Sequence, residues 1–113
     1  METNTGYTLI VKEAGQMTTY RLDEKKVWMV GRVSKSGTPD VRLTSSTVSR
    51  THGRIMYMDG SWFYVDNNSK NGTTYNGEQL KPGLNGRLKP IIIKDGDSII
   101  LGGSAELTFR RKG

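Results

Sequence analysis

Turn dipeptides that contain glycine divide this chain into short apolar runs, and this division constrains the fold more than any other feature of the sequence. The clearest dipeptide is Asp59-Gly60, which lies between apolar runs at residues 54–58 and 61–65. Asp-Gly suits the positive φ angles of a type I′ turn, so this segment predicts a β-hairpin. Further turn signals are Asn71-Gly72, Asn76-Gly77, Asp95-Gly96, Pro82-Gly83 and Asn85-Gly86.

The apolar runs between these turns predict strands. Their residues are mostly β-branched, aromatic or methionine, which favours strands over helices, and 14 glycines interrupt any long helical register. We expect strands at residues 7–12, 18–22, 27–30, 41–43, 53–58, 61–66, 88–93, 98–101 and 105–110, with a brief pair around Thr74 and Leu80. Short strands at this spacing are typical of an all-β sandwich or barrel.

The length and composition indicate one small domain. The chain has 113 residues, of which 34% are hydrophobic, so we expect a single domain over residues 1–113, which a longer protein could contain as one part. No apolar stretch approaches the roughly 20 residues that span a bilayer, and the first residues lack the pattern of a signal peptide. We therefore expect a soluble, cytoplasmic protein that does not bind membranes.

The residues available for chemistry exclude several kinds of site. The chain has no cysteine and one histidine, which rules out disulfides and thiolate chemistry and argues against a metal centre. It also lacks a phosphate-cradling G-x-x-x-x-G-K motif and a cluster of carboxylates. We expect neither an enzyme nor a bound cofactor.

The net charge favours anionic partners. Seventeen Lys and Arg against eleven Asp and Glu give a formal charge of +6. Charge alone leaves open nucleic acid, an acidic lipid surface, a phosphorylated protein and a basic surface that binds nothing. The strands of a sandwich act as a frame, so recognition is expected in the polar loops at residues 31–40, 44–52 and 67–77.

Two of these loops carry groups suited to an anion. Arg32 follows an apolar strand, and its planar guanidinium can donate to two oxygens of a phosphate or carboxylate, although an arginine there can equally be a solvated charge. Ser49 could donate its hydroxyl proton, with the charge of Arg50 beside it. A nucleophilic Ser49 with His52 as base is rejected, because no G-x-S-x-G elbow surrounds the serine. We predict instead that His52 bonds to backbone and holds neighbouring loops together.

The third loop is rich in asparagine, whose side chain bonds readily to nearby backbone groups and makes a loop rigid. Ser69 and Lys70 could face a ligand, while Asn71 could fix the loop or reach a peptide backbone. The alternative is a hairpin tip that binds nothing.

The three loops together resemble one known family. Gly31-Arg32, then residues 49–53, then Asp66 with residues 69–73 and Asn76-Gly77, occur in the order of the motifs of the forkhead-associated (FHA) domain. Residues 95–99, followed by Leu101-Gly102, are similar to the closing strand pair of that family. The resemblance runs from about Val27 to Gly102, and the ordered combination is far more specific than any single piece.

This resemblance implies an eleven-stranded β-sandwich of two twisted sheets that binds phosphothreonine peptides through loops at one end. Arg32 and Ser49 would be the principal phosphate ligands, and Arg50 and Lys70 would add phosphate contacts. Asn71 matches the asparagine that holds the peptide backbone. Lys70 stands where many members carry Thr or Ser, which would strengthen the attraction to phosphate.

The remaining matched positions support the loops. Gly31, His52, Ser69 and Gly72 match residues that brace loop shape. Thr47 matches a position that in some members helps to choose the residue downstream of the phosphothreonine. The segment 81–94 is longer than is usual for the family.

The sequence thus predicts a monomeric, non-catalytic module whose partner is a phosphothreonine protein or peptide produced by a serine/threonine kinase. Two alternatives remain open. A basic β-domain could bind nucleic acid, but Trp62, Phe63 and Tyr64 lie inside a predicted strand instead of among exposed basic residues. An FHA-like scaffold could also mediate contacts that are independent of phosphate, although Arg32, Ser49 and Asn71 are all present.

Overall fold

Eleven strands in two sheets make up nearly all the regular structure of this computed structural model, which describes residues 4–80 and 88–112. The strands, numbered in chain order, are β1 Tyr7–Glu13, β2 Gln16–Arg21, β3 Val27–Arg32, β4 Val41–Leu43, β5 Gly53–Met58, β6 Ser61–Asp66, β7 Thr73–Tyr75, β8 Glu78–Gln79, β9 Ile91–Ile92, β10 Ser98–Leu101 and β11 Ala105–Arg111. This architecture confirms the predicted eleven-stranded sandwich.

The two sheets differ in strand order. One sheet has the order β2-β1-β11-β10-β7-β8 and the other has the order β4-β3-β5-β6-β9. The β3–β4 pair is parallel, with Val30 opposite Val41 and Arg32 opposite Leu43. The other strand pairs described are antiparallel. Because β3 and β4 run parallel, the chain leaves β3 at Arg32 and must cross back along the strand before β4 begins beside Val30.

The core lies between the sheets because alternate residues of each strand point inward. The inward residues include Trp28 and Val30 on β3, Trp62 and Tyr64 on β6, and Leu107 and Phe109 on β11, all of them buried. Burial of side chains of this size contributes about 1.5–3 kcal/mol each, which supplies most of the stability of a chain without disulfides. The core thereby fixes the strand ends, where the polar loops begin.

The β5–β6 hairpin forms as predicted. Its turn residues Asp59 and Gly60 have φ angles of 51° and 81°, the conformation that a type I′ turn requires. The register runs from Gly53 opposite Asp66 to Met58 opposite Ser61. The bounds of β4, β5, β6 and β10 also agree with the sequence prediction.

The predicted ends of two strands differ from those in the structure. The strand predicted at residues 18–22 begins at Gln16 and ends at Arg21, and Leu22 instead opens a short 3₁₀ turn, Leu22–Glu24. Leu22 is fully buried and its carbonyl accepts a hydrogen bond from Trp28 Nε1 at 3.0 Å. The Leu22 side chain therefore packs in the core, and the Leu22 carbonyl accepts a hydrogen bond from the Trp28 indole instead of one from a neighbouring strand.

The strand predicted at residues 88–93 is confined to Ile91–Ile92. Pro90 precedes it and has no N–H, so the ladder with β6 has no donor there. The brief pair predicted around Thr74 and Leu80 is present, but β8 ends at Gln79. The loop predicted around Pro82-Gly83 and Asn85-Gly86, and the start of the long segment 81–94, lie outside the described residues.

Across residues 4–80 and 88–112 there is no helix with the length and apolar character needed to cross a membrane.

Candidate functional site

Backbone hydrogen bonds join the three polar loops at one end of the sandwich. The N–H of Arg32, at the end of β3, donates to the carbonyl of Ser49 at 3.0 Å. The N–H of His52 donates to Val30 at 3.0 Å, and the N–H of Asn67 donates to the carbonyl of His52 at 2.9 Å. Residues that are far apart in sequence therefore meet at one rim, as the sequence predicted.

Gly31 allows the closest of these approaches. A Cβ atom at this position would lie 2.0 Å from the carbonyl oxygen of Arg50 and 3.1 Å from that of Ser49. No side chain fits in that space, so only glycine lets β3 touch the second loop. The structure places Gly31 behind the site, where it sets the separation of Arg32 from Ser49.

Arg32 is held in place but keeps free donors. Its Nε donates to the carbonyl of Val48 at 3.0 Å, which fixes the direction of the half-buried side chain. Its two Nη atoms form no hydrogen bond within residues 4–80 and 88–112. A guanidinium fixed at Nε and open at Nη is prepared to donate to two oxygens of one anion.

Ser49 is held on three sides. Its N–H donates to His52 Nδ1 at 3.1 Å, its carbonyl accepts from Arg32, and its Oγ accepts the N–H of Lys70 at 3.1 Å. Because Oγ accepts from Lys70, the hydroxyl proton remains available for a ligand. His52 contacts the amide of Ser49 and not the hydroxyl, which agrees with the rejection of a nucleophilic serine.

These residues line one cleft of about 290 Å³, here called the basic cleft. Its lining includes the predicted ligand residues, which are Arg32, Ser49, Arg50, Lys70 and Asn71. No carboxylate lies among the described residues that line it, and none of its three cations forms an ion pair with another described residue. Three unpaired positive charges around one concave surface attract an anion.

Asn71 and Thr47 form a further part of the lining of the basic cleft. Asn71 Nδ2 donates to the carbonyl of Thr47 at 2.8 Å and so ties the second and third loops together. The Thr47 hydroxyl lies 3.0 Å from Ser45 Oγ and 2.7 Å from Ser104 Oγ, at the exposed rim. The amide oxygen of Asn71 has no partner among the described residues and can accept a hydrogen bond from a ligand.

His52 lies behind the basic cleft, fully buried, and links the second and third loops to β3. Since Nδ1 accepts the N–H of Ser49, the ring proton is on Nε2, which donates toward the carbonyl of Gly72 at 3.0 Å and Thr73 Oγ1 at 3.1 Å. Burial lowers the pKa of His52, although the Asp66 carboxylate and the Gly72 carbonyl act in the opposite direction. The ring is therefore neutral in the folded protein, and protonation would remove the acceptor that Ser49 uses.

We expect the free energy of unfolding to decrease as the pH falls below about 6.5, the ordinary pKa of histidine. The pKa of His52 is lower in the folded state, so between the two pKa values the unfolded chain binds more protons and stability rises with pH. Urea unfolding without ligand at pH 5.5, 6.5 and 7.5 measures this. His52 is the only histidine, so His52→Gln should be less stable but nearly independent of pH in this range. An equally flat profile for the unmodified protein would contradict the prediction.

The buried carboxylate of Asp66 fixes the shape of the third loop through hydrogen bonds. Its Oδ1 accepts from Thr73 Oγ1 at 2.6 Å and Ser69 Oγ at 2.8 Å, and its Oδ2 accepts the N–H of Ser69 at 2.9 Å. Thr73 Oγ1 also lies 3.2 Å from the hydroxyl of Tyr64. Ser69 consequently turns inward and braces the loop, so the expectation that it could face a ligand does not hold.

Asp66→Asn is expected to lower the free energy of unfolding by about 2–3 kcal/mol, because hydrogen bonds to a charged group contribute about 1.5–3 kcal/mol each and an amide nitrogen would face donors. Urea unfolding compares the variant with Asp59→Asn. Asp59 is exposed at a positive φ that asparagine tolerates, so this matched control should change stability by less than about 0.5 kcal/mol. Equal stability of the two variants would mean that the Asp66 network contributes little.

The structure places the predicted residues in two layers. The residues expected to contact a ligand, together with Thr47, line the basic cleft, and Gly31, His52, Ser69 and Gly72 lie around or behind it. Sequence reasoning missed Thr73 and Tyr64, which complete the buried network. A threonine and a tyrosine within strands carry no signal that separates this role from ordinary packing. Within the described residues, no three His, Asp or Glu side chains converge as a metal site would require.

A family model described as FHA domain matches residues 28–102. Among solved structures, the FhaA FHA domain complexed with the intracellular domain of Rv3910 is 28% identical, with a TM-score of 0.68, over 92% of this chain and 99% of that chain. A structure from a structural and functional analysis of phosphothreonine-dependent FHA domain interactions is also 28% identical, with a TM-score of 0.68, over 96% of this chain and 99% of that chain.

A third similar structure is Mycobacterium tuberculosis EmbR in complex with a low-affinity phosphopeptide. It is 23% identical, with a TM-score of 0.72, over 94% of this chain and 25% of that chain, and this likeness concerns the fold. No curated protein sequence matches this chain at a significant level.

Proposed function

This chain belongs to the FHA domain family, and from that premise we propose that it is a non-catalytic module that binds phosphothreonine in partner proteins through the basic cleft. The observation that carries the proposal is the meeting of Arg32, Ser49 and Lys70 around one cleft, with the Arg32 Nη groups, the Ser49 hydroxyl proton and the Lys70 ammonium free of partners among the described residues. The complexes of similar domains with a phosphopeptide and with the intracellular domain of another protein support it.

The chemistry of phosphate suits these donors. A phosphate ester carries about −1.5 to −2 charges at pH 7 and three acceptor oxygens, whereas the unmodified hydroxyl has no charge. In the proposed complex the two Nη groups of Arg32 take two oxygens and the Ser49 hydroxyl takes the third. Arg50 and Lys70 add positive charge, and the free amide oxygen of Asn71 accepts a peptide N–H.

The expected affinity follows from two opposing effects. Charge-assisted hydrogen bonds contribute about 1.5–3 kcal/mol each, so two or three of them separate the phosphorylated from the plain peptide by about two orders of magnitude or more. Ordering a flexible peptide and its side chains opposes binding. We therefore expect a dissociation constant on the order of micromolar.

The proposal extends to the source of the ligand. Phosphothreonine in a partner protein is the product of a serine/threonine kinase, so binding of this chain to its partner would depend on the activity of such a kinase. We propose that it does so as a monomer in the cytoplasm, where the kinase and its substrates would be present.

The alternative of nucleic-acid binding finds no support at the aromatic residues. Trp62 and Tyr64 are 1% and 0% exposed and cannot stack on bases, which is the contact that single strands usually require.

The test is a titration of the protein with one peptide in four forms, which carry phosphothreonine, phosphoserine, threonine or glutamate at the same position. We expect micromolar binding of the phosphothreonine form, weaker binding of the phosphoserine form and at least about 100-fold weaker binding of the other two, from the loss of charge-assisted bonds. Equal binding of the phosphorylated and plain forms would overturn the proposal. A preference for phosphate that does not distinguish threonine from serine would remove only the specificity for threonine.

A further inference from the structure

A second cleft, here called the β3–β4 cleft, opens next to the basic cleft. It has a volume of about 220 Å³ and lies between strand β3, the β3–β4 loop and the end of the segment before β5. Its lining is mainly apolar, whereas that of the basic cleft is mainly polar. The lining includes Met29, Val30, Thr38, Pro39 and Arg50. Of the residues proposed above to contact phosphate, Arg50 alone lines this cleft.

Hydrogen bonds fix the loop that forms one wall of the β3–β4 cleft. The backbones of Ser34 and Gly37 bond to each other at 3.2 and 3.3 Å, and the Ser34 and Ser36 hydroxyls lie 2.9 Å apart. At the other end of the loop, Asp40 accepts the N–H of Met29 at 2.7 Å and pairs with Lys25. The cleft is thus already formed without a ligand, which lowers the cost of binding there.

The two clefts are continuous through Arg50, which lines both of them. Arg32, which lines the basic cleft, and Ser34, which lines the β3–β4 cleft, are two residues apart in the chain, which is about 7 Å in extended conformation. An extended peptide places the side chains of alternate residues on one face with the same spacing of about 7 Å. A peptide with its phosphothreonine in the basic cleft would therefore present the side chain two positions away to the β3–β4 cleft.

We propose that the β3–β4 cleft, which Asn71 does not line, is a second subsite, which takes an aliphatic side chain of the partner two positions from the phosphothreonine. This inference rests on the proposed function and narrows it to a class of phosphopeptide. Met29 is 40% exposed and offers a flexible apolar surface to such a side chain. A lysine in the peptide would be repelled by Arg50, and the attraction of a carboxylate to Arg50 would be offset by its loss of hydration against the apolar wall.

The test uses phosphothreonine peptides in which the residue two before or two after the phosphothreonine is Leu, Ala, Glu or Lys. We expect Leu to bind about tenfold more tightly than Ala at one of these two positions, which corresponds to about 1.4 kcal/mol, and Glu and Lys to bind no better than Ala. The position that responds gives the direction of the peptide. A preference at neither position would overturn the subsite.

Two variants locate the preference in the β3–β4 cleft. Met29→Ser removes the apolar wall and Thr38→Tyr fills the space, and in both we expect the ratio of Leu to Ala affinity to fall below about twofold. The matched control is Met58→Ser, because Met58 is also 40% exposed and lies on the same sheet, away from both clefts. This control should keep the full ratio. A tenfold ratio that persists in Met29→Ser and Thr38→Tyr would place the aliphatic side chain elsewhere and overturn the proposal.

A spectroscopic measurement separates direct contact from indirect effects. With ¹³C-methyl-labelled methionine, the Leu peptide should shift the Met29 signal more than the Ala peptide does and leave the Met58 signal unchanged. The same titrations distinguish the two proposals. Tight binding of phosphothreonine peptides without any preference for Leu would overturn only the proposed subsite. Peptide binding that does not depend on phosphate would overturn both the proposed function and the subsite.

Discussion

Arg32→Ala is expected to weaken binding of a phosphothreonine peptide by about 100-fold or more, the largest effect of any single side chain. The fork of Arg32 would make two charge-assisted hydrogen bonds to phosphate, each contributing about 1.5–3 kcal/mol. Isothermal titration calorimetry with one peptide measures the loss. The free energy of unfolding should change little, because the side chain is half-buried and makes one hydrogen bond within the described residues, from Nε to Val48.

Two further variants make this result specific. Arg32→Lys keeps the charge but loses the planar fork and the Nε bond, so its affinity should fall between that of the alanine variant and that of the unmodified protein. Arg110→Ala removes an equal charge from β11, outside the basic cleft, and should change affinity by less than about twofold. Equal losses in Arg32→Ala and Arg110→Ala would mean that net charge, and not the geometry at Arg32, attracts the peptide.

Gly31→Ala is expected to lower the free energy of unfolding by about 2–3 kcal/mol, because its Cβ would overlap the carbonyl of Arg50 and the backbone would have to move. The overlap is with main-chain atoms, at 2.0 Å from the oxygen, so no rotamer change relieves it. Moving β3 away from Arg50 also stretches the bond from the Arg32 N–H to Ser49. Urea unfolding measures the first effect, and peptide titration of the folded variant measures the accompanying loss of affinity.

Gly37→Ala is the matched control for stability. Gly37 lies in the loop that follows the same strand, and a Cβ there meets no atom within 4 Å. Its unfolding free energy should change by less than about 0.5 kcal/mol. If Gly31→Ala were as stable as Gly37→Ala, the close approach of β3 to the second loop would not be a requirement of the fold.

The buried network behind the basic cleft joins the second and third loops to the sandwich by hydrogen bonds. His52 bonds to the second loop at Ser49 and to the third loop at Gly72, and Asp66 fixes Ser69 and Thr73. Within the described part of the chain, no buried side-chain nitrogen or oxygen lacks a hydrogen-bond partner. A network of this kind holds donors in position before the ligand arrives, which lowers the entropy lost on binding.

The strands and the family were the predictable part of this protein. Alternating burial and the Asp59-Gly60 turn are local properties, so they can be read from neighbouring residues. The ordered motifs around Arg32, Ser49 and Asn71 identified the family, and the match over residues 28–102 confirms it. The ends of β2 and β9 were missed because burial of Leu22 and the missing N–H of Pro90 decided them.

The all-β architecture and the polar side chains of the loops follow from the amino-acid sequence alone, because hydrophobic period, turn chemistry and residue type act over a few neighbouring positions. Only the tertiary structure decided that Arg32, Ser49 and Lys70 share one cleft, that His52 keeps its proton on Nε2, and that a second, apolar cleft continues from Arg50. These depend on contacts between segments that are distant in the chain. Such contacts form only when the two sheets pack and bring the ends of β3, β4 and β6 to the same edge.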